Sequence, residues 1–221
     1  MSKIFLATNG SQGIQLIRDL FALNYRPDDM YVLSDNGRIK QNNCFLEFLE
    51  YYGISFCFSL IEMPESTKKY HYGICLSSRV IFPKEFIARI RHFINFHPGL
   101  LPDFRGSNST VHALAEGTKI VGGTWHRVEE RVDCGAILSI VTVSVKNDDT
   151  AFSLNHKIFK KGMDVLGDVL DSLESYYGFT CNVKGRFFYS SDFPDLSSDK
   201  IPLELKQKIY YFPPKFLNYE F

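Results

Sequence analysis

The chain has 221 residues, 45% hydrophobic and 23% charged, which suits an ordinary globular protein of one sizeable domain or one domain and a small appendage. Lysine plus arginine and aspartate plus glutamate both number 25, so the net charge is zero. That balance argues against a nucleic-acid partner, whose binding surface normally announces itself as a basic excess. No apolar run approaches the ~20 residues that span a bilayer, so no membrane partner is expected. The first apolar run, Ile4-Phe5-Leu6-Ala7, is too short for a signal peptide. Five scattered cysteines without C-x-x-C spacing fit neither a disulfide framework nor a zinc site, and no metal is expected. They read as reduced thiols in a cytoplasmic protein.

In chain order, Lys3–Thr8 reads as a strand and Asn9-Gly10-Ser11-Gln12-Gly13 as a turn. A helix follows, with Ile14, Leu16, Ile17, Leu20 and Phe21 on one face. Met30–Leu33 is a short strand ending in the turn Ser34-Asp35-Asn36-Gly37, and Gln41–Tyr52 is an amphipathic helix stopped by Gly53. Ser55–Ser59 and Tyr72–Leu76 are strands around a polar linker, Glu65–Tyr70. Pro83 opens a helix through Arg91, and Phe93–Phe96 is the next strand. This alternation of apolar strands and helices predicts an α/β fold of βαβ units around a mostly parallel sheet. Beyond it, Asn108–Glu116 is a short helix, and Thr124–Val128 and Ala136–Val145 are strands separated by polar Glu129–Gly135. Thr150 is a candidate N-cap for one long helix whose apolar stripe runs from Leu154 to Leu173. The boundaries divide into residues 1–176, the main domain, and 177–221, a short aromatic and β-rich extension with a helix near Leu203–Lys208.

The polar residues that stand out are Asn95 and His97, two apart at the end of an apolar strand. Residues i and i+2 of a strand share a face, so both side chains point the same way. Pro98 stops the ladder, and the carboxyl end of a strand is where open α/β sheets hold ligands. The loop Leu100-Leu101-Pro102-Asp103-Phe104-Arg105-Gly106 is stiffened by Pro102 and ended by Gly106. Downstream, Asp133 sits in a turn where Gly135 permits unusual backbone. The Gly10/Gly13 turn lacks one glycine of a dinucleotide fingerprint, so turn structure accounts for it better than a nicotinamide site.

The pattern Asn-x-His-Pro-x-Leu-Leu-Pro-x-Phe-Arg-Gly, then His126-Arg127-Val128 and Asp133-x-Gly135-x-Ile137-Leu138, resembles the folate-dependent formyltransferase family over roughly residues 72–170. The resemblance implies a Rossmann-like formyltransferase fold and N10-formyltetrahydrofolate as cofactor. It makes Asn95, His97 and Asp133 the catalytic trio, with the pterin held largely by backbone at Arg79-Val80-Ile81 and Glu129-Glu130-Arg131-Val132. His126 matches a family position in a supporting role. At Gly99 the family often has Ser, and the glycine is expected to loosen the loop.

Within that family, the aromatic end from Phe187-Phe188-Tyr189 to Tyr210-Tyr211-Phe212 is similar to the ends of bacterial nucleotide-sugar N-formyltransferases. The acceptor so implied is a dTDP- or UDP-linked 4-amino-4,6-dideoxy sugar destined for surface polysaccharide or glycoprotein glycans. Asn9, Gly10, Ser11, Arg105 and Tyr211 are candidates to bind it, and a homodimer through the extension is possible. The alternative acceptor is the phosphoribosylglycinamide of purine synthesis, for which the first loop is a poor phosphate grip.

Overall fold

The computed structural model describes residues 3–35, 43–63, 70–180 and 185–210. The fold is α/β, with a mostly parallel sheet flanked by helices. Internal contacts divide the chain into two units, Met1–Phe96 with Arg127–Glu130, and His97–His126 with Arg131–Glu220. The described residues of the extension belong to the second unit. No described helix is long and apolar enough to cross a membrane.

The first unit is built from β1 (Ile4–Thr8), α1 (Gly10–Ala22), β2 (Met30–Leu33), α2 (Asn43–Tyr51), β3 (Ser55–Cys57), β4 (Tyr70–Leu76), α3 (Lys84–Ile87) and β5 (Ile90–His97). The strands run parallel in the order β3-β2-β1-β4-β5. Ile4, Phe5, Leu6 and Ala7 are fully buried, as an inner strand covered on both faces requires. Phe5 meets the rings of Phe86, Tyr70, Phe93 and Phe82 at centroid distances of 5.1, 5.7, 5.9 and 6.1 Å. Much of the aromatic content is therefore core. Such pairs add about 0.5–1.5 kcal/mol each beyond the area they bury.

Two expectations change here. Gly13 lies inside α1, where a Cβ would come 2.8 Å from the Phe45 ring of α2, so it serves helix packing and not a turn. The helix expected from Pro83 to Arg91 is only Lys84–Ile87, because Ile90 pairs with Tyr70 and starts β5. Ladder bonds and burial of Ile90 outrank the local helical pattern.

The second unit holds β6 (Arg105–Gly106), α4 (Ser109–Ala115), β7 (Ile120–Arg127), β8 (Ile137–Ser144), α5 (Ala151–Asp164), α6 (Leu166–Ser172), β9 (Phe187–Phe188) and α7 (Leu203–Tyr210). β7 and β8 are antiparallel, with an irregularity between Trp125 and His126. β7 starts four residues before the expected Thr124; Gly122 conceals the strand, since a Cβ there would meet the Val141 carbonyl oxygen at 2.1 Å. Thr150 does cap α5, its Oγ1 accepting from the Ser153 N–H at 3.1 Å. The single long helix expected to follow breaks at Val165 (φ −103°, ψ 3°) into α5 and α6.

Candidate active site

Asp133 is the centre of the polar cluster in the second unit. Its Oδ2 lies 3.3 Å from His97 Nδ1 and its Oδ1 lies 3.4 Å from His126 Nε2. The side chains of His97, His126 and Asp133 are 5%, 3% and 7% exposed, so water screens these contacts poorly. The Gly106 N–H donates to Asp133 Oδ2 at 2.8 Å. β7 delivers His126, the carboxyl end of β5 delivers His97, and the turn before β8 delivers Asp133. Asp133 itself, not Gly135, adopts the left-handed conformation (φ 53°) expected in this turn. Aspartate is among the few side chains that tolerate it.

Burial alone would raise the Asp133 carboxyl, but the charge of His97, the hydrogen bond and charge of His126 and the Gly106 N–H outweigh it. The group is held at about 2 and is ionised at neutral pH. Burial pushes His97 below the ordinary histidine value, against the opposing pull of Asp133. The other ring nitrogen, Nε2, faces the Phe104 carbonyl oxygen at 2.7 Å and Ser109 Oγ at 3.2 Å. A carbonyl oxygen only accepts, so Nε2 carries the hydrogen, and in the neutral ring Nδ1 presents a lone pair beside Asp133. A proton arriving on Nδ1 becomes an N–H donated to the carboxylate. The arrangement has the chemistry to hold a proton between His97 and Asp133.

Asn95 occupies β5 two residues before His97, half-buried and in register with Cys75. Asn9 is only 5% exposed, and its amide ties together the carboxyl ends of three strands. Its Oδ1 accepts from Ser34 Oγ at 2.8 Å, and its Nδ2 donates to Asp35 at 3.2 Å and the Ser77 carbonyl at 3.4 Å. Gly10 (φ 57°) opens α1, and Ser11 is exposed beside it. In the segment after β4, the Arg79 N–H donates to Asp35 at 3.2 Å and Val80 packs on the aromatic core, whereas the Ile81 side chain is 66% exposed. Glu129, Glu130, Arg131 and Val132 are all exposed, with Glu130 paired to Lys84 at 3.5 Å. The guanidinium of Arg105 is engaged by protein: Nη1 faces Cys134 Sγ at 3.0 Å and Nη2 donates to the Gly185 carbonyl. Tyr211 lies outside the described residues.

Sequence reasoning missed the Phe104 carbonyl and the Gly106 N–H, since backbone groups leave no signature in a sequence, and it missed Ser109, which lies twelve residues from His97. It also misread Gly99. A Cβ there would lie 2.5 Å from His97 Nε2 and 2.8 Å from the Phe104 oxygen, so the glycine makes room for the imidazole. Gly99→Ala is expected to push the ring off the Phe104 carbonyl, lowering kcat about 10- to 100-fold and stability by about 1–3 kcal/mol. Steady-state kinetics and urea unfolding measure both; an unchanged kcat would contradict the His97 pose.

Residues 67–170 match the formyl transferase family model. This stretch resembles a formyl transferase domain. Over 147 residues the chain is 29% identical to the GDP-perosamine N-formyltransferase of Brucella melitensis, covering 64% of this chain and 57% of that protein. The chain thus spans little more than half the length of that relative. The chain is similar in fold to the N-formyltransferase of Helicobacter canadensis, solved with folinic acid and dTDP-3-aminofucose. The TM-score is 0.79 at 15% identity, over 96% of this chain and 81% of that one. Phosphoribosylglycinamide formyltransferase from Anaplasma phagocytophilum gives a TM-score of 0.64 at 22% identity, over 85% of this chain and 97% of that one.

Proposed function

We propose that the protein transfers a formyl group from N10-formyltetrahydrofolate to the amino group of a nucleotide-linked amino-dideoxy sugar. The observation that carries this reading is the buried His97–Asp133–His126 cluster inside the formyl transferase domain, with a proton-accepting nitrogen beside an ionised carboxylate. Bound folate would supply the activated formyl carbon. Exposed Arg79 and Ile81, with Ile81 offering an apolar surface, suit a flat ring with polar edges, and Glu129–Val132 are exposed residues as well. The Asn95 amide is assigned to donate to the formyl oxygen as negative charge develops there. His97 accepts the proton that the attacking amine loses, and Asp133 holds it on Nδ1 until the leaving nitrogen takes it.

The acceptor assignment draws support from the relatives. A sugar N-formyltransferase matches 96% of the chain, extension included, whereas the glycinamide ribonucleotide enzyme matches 85%. Asn9, Gly10, Ser11 and Tyr211 are kept as candidates for the sugar nucleotide, and exposed Arg79 is a better diphosphate partner than Arg105. The four cysteines among the described residues are free, which supports a cytoplasmic location, and exposed Tyr189 and Phe193 support a homodimer through the extension.

The test is formyl transfer to a panel of dTDP-, UDP- and GDP-linked amino sugars and to glycinamide ribonucleotide, with products read by mass spectrometry. An N-formylated nucleotide sugar is expected. Formylation of glycinamide ribonucleotide alone would replace the sugar reading by the purine one.

A further inference from the structure

Arg186 belongs to the extension and to none of the roles assigned above. Its Nε and Nη2 donate to the Asp103 carboxylate at 2.9 and 2.6 Å, and its backbone N–H reaches the same group at 2.9 Å. Nη2 also donates to Glu116 Oε2 at 3.1 Å, and Nη1 donates to Glu116 Oε1. The guanidinium carbon lies 4.7 Å from the centre of the Phe104 ring and 5.5 Å from that of Phe188. Single exposed ion pairs are weak, but a planar fork gripping two carboxylates while stacked on an aromatic ring fixes direction as well as distance.

What the fork grips is the loop that holds the acid–base pair. Asp103 and Phe104 lead into β6, which pairs in parallel with β9, Arg105 opposite Phe187 and Gly106 opposite Phe188. The Arg105 N–H donates to the Arg186 carbonyl at 3.1 Å and the Ser107 N–H to the Phe188 carbonyl at 2.9 Å. Within the same few residues, the Phe104 carbonyl accepts from His97 and the Gly106 N–H donates to Asp133. Phe104 is itself left-handed (φ 53°), a conformation that persists only where neighbours enforce it. Two glycines admit the contact: a Cβ on Gly185 would lie 1.6 Å from the Pro102 oxygen, and one on Gly106 would lie 2.2 Å from the Phe188 oxygen.

We infer that Arg186 is a positioning residue, through which the C-terminal extension holds the Phe104 carbonyl and the Gly106 N–H in place for His97 and Asp133. The inference adds a determinant to the formyl-transfer reading and rests on it for its catalytic consequence, though not for its structural one. The extension is then part of the active site's framework as well as a candidate acceptor surface. Loss of the Arg186 fork alone loosens the geometry of proton transfer without removing any group that meets substrate.

Arg186→Met keeps an unbranched apolar stem and removes the fork. In the full chain, kcat is expected to fall about 10- to 100-fold while both KM values change less than about threefold. In histidine-selective NMR, the His97 titration midpoint is expected to move up toward the ordinary histidine value as the ring loses its enclosure. Asp103→Asn, which weakens one arm only, should produce the same two changes in smaller measure and guards against a variant that fails to fold. A His97 titration unchanged in both variants would overturn the inference. A shifted His97 in a protein whose wild type formylates none of the acceptors would uphold the positioning role and sink the formyl-transfer reading instead.

Discussion

Asp133→Asn is expected to lower kcat about 10³- to 10⁴-fold with little change in KM. The amide preserves shape and can still accept from the Gly106 N–H, but it cannot hold a proton on His97 Nδ1 or stabilise the imidazolium that forms. Both imidazoles that face Asp133 lose the carboxylate in one step. The same change alters stability. The carboxyl sits at about 2 in the folded protein against 3.8 when free, a difference worth roughly 2–3 kcal/mol. Because the folded value is depressed, that stabilisation is fully present above about pH 4 and disappears as pH falls through 2. Urea unfolding of wild type and variant should therefore differ by about this amount at pH 7 and converge at the acid end. A variant as stable as wild type at pH 7 would show that the two histidines do not stabilise the charge.

His97→Ala is the second large effect, with kcat expected to fall about 10²- to 10⁴-fold. Its more telling consequence is in the pH profile. Burial depresses the His97 pKa, so the ring is neutral and able to accept a proton at neutral pH. Wild-type kcat should rise with pH through a midpoint below 6.5, the free-histidine value, and then level off. The variant should lose this limb. Stability follows the same sign: burial of the neutral ring is tolerated above about 6.5, and the protein weakens as pH falls through the depressed value, because the unfolded chain binds the proton first. A profile whose acid limb survives the substitution would assign the titration to another group.

The candidate site residues stood out in the sequence because their chemistry conflicts with their surroundings. Asn95 and His97 interrupt an apolar strand, and Asp133 ends a polar turn, so each announces a purpose that burial alone does not supply. The parallel sheet was legible from its apolar runs, and Thr150 from its place before an amphipathic helix. Where reading failed, a glycine or a tertiary contact had decided the matter. Gly13 read as a turn because a sequence does not display Phe45 across a helix contact, and Gly99 read as slack because it does not display the His97 ring. Ile90 read as helix because its partner Tyr70 is twenty residues away. Arg186 was invisible for the same reason: Asp103 and Glu116 are separated from it by 83 and 70 positions.

The central claim is that a buried, ionised Asp133 lets His97 carry the proton released during formyl transfer to a sugar amine. Single-turnover formyl transfer to the accepted nucleotide sugar, followed across pH in wild type and Asp133→Asn, tests it most directly. Wild type should show an acid limb with its midpoint below 6.5, and the variant a rate lower by three orders of magnitude or more at every pH above that limb. Equal rates in the two proteins at neutral pH would contradict the account.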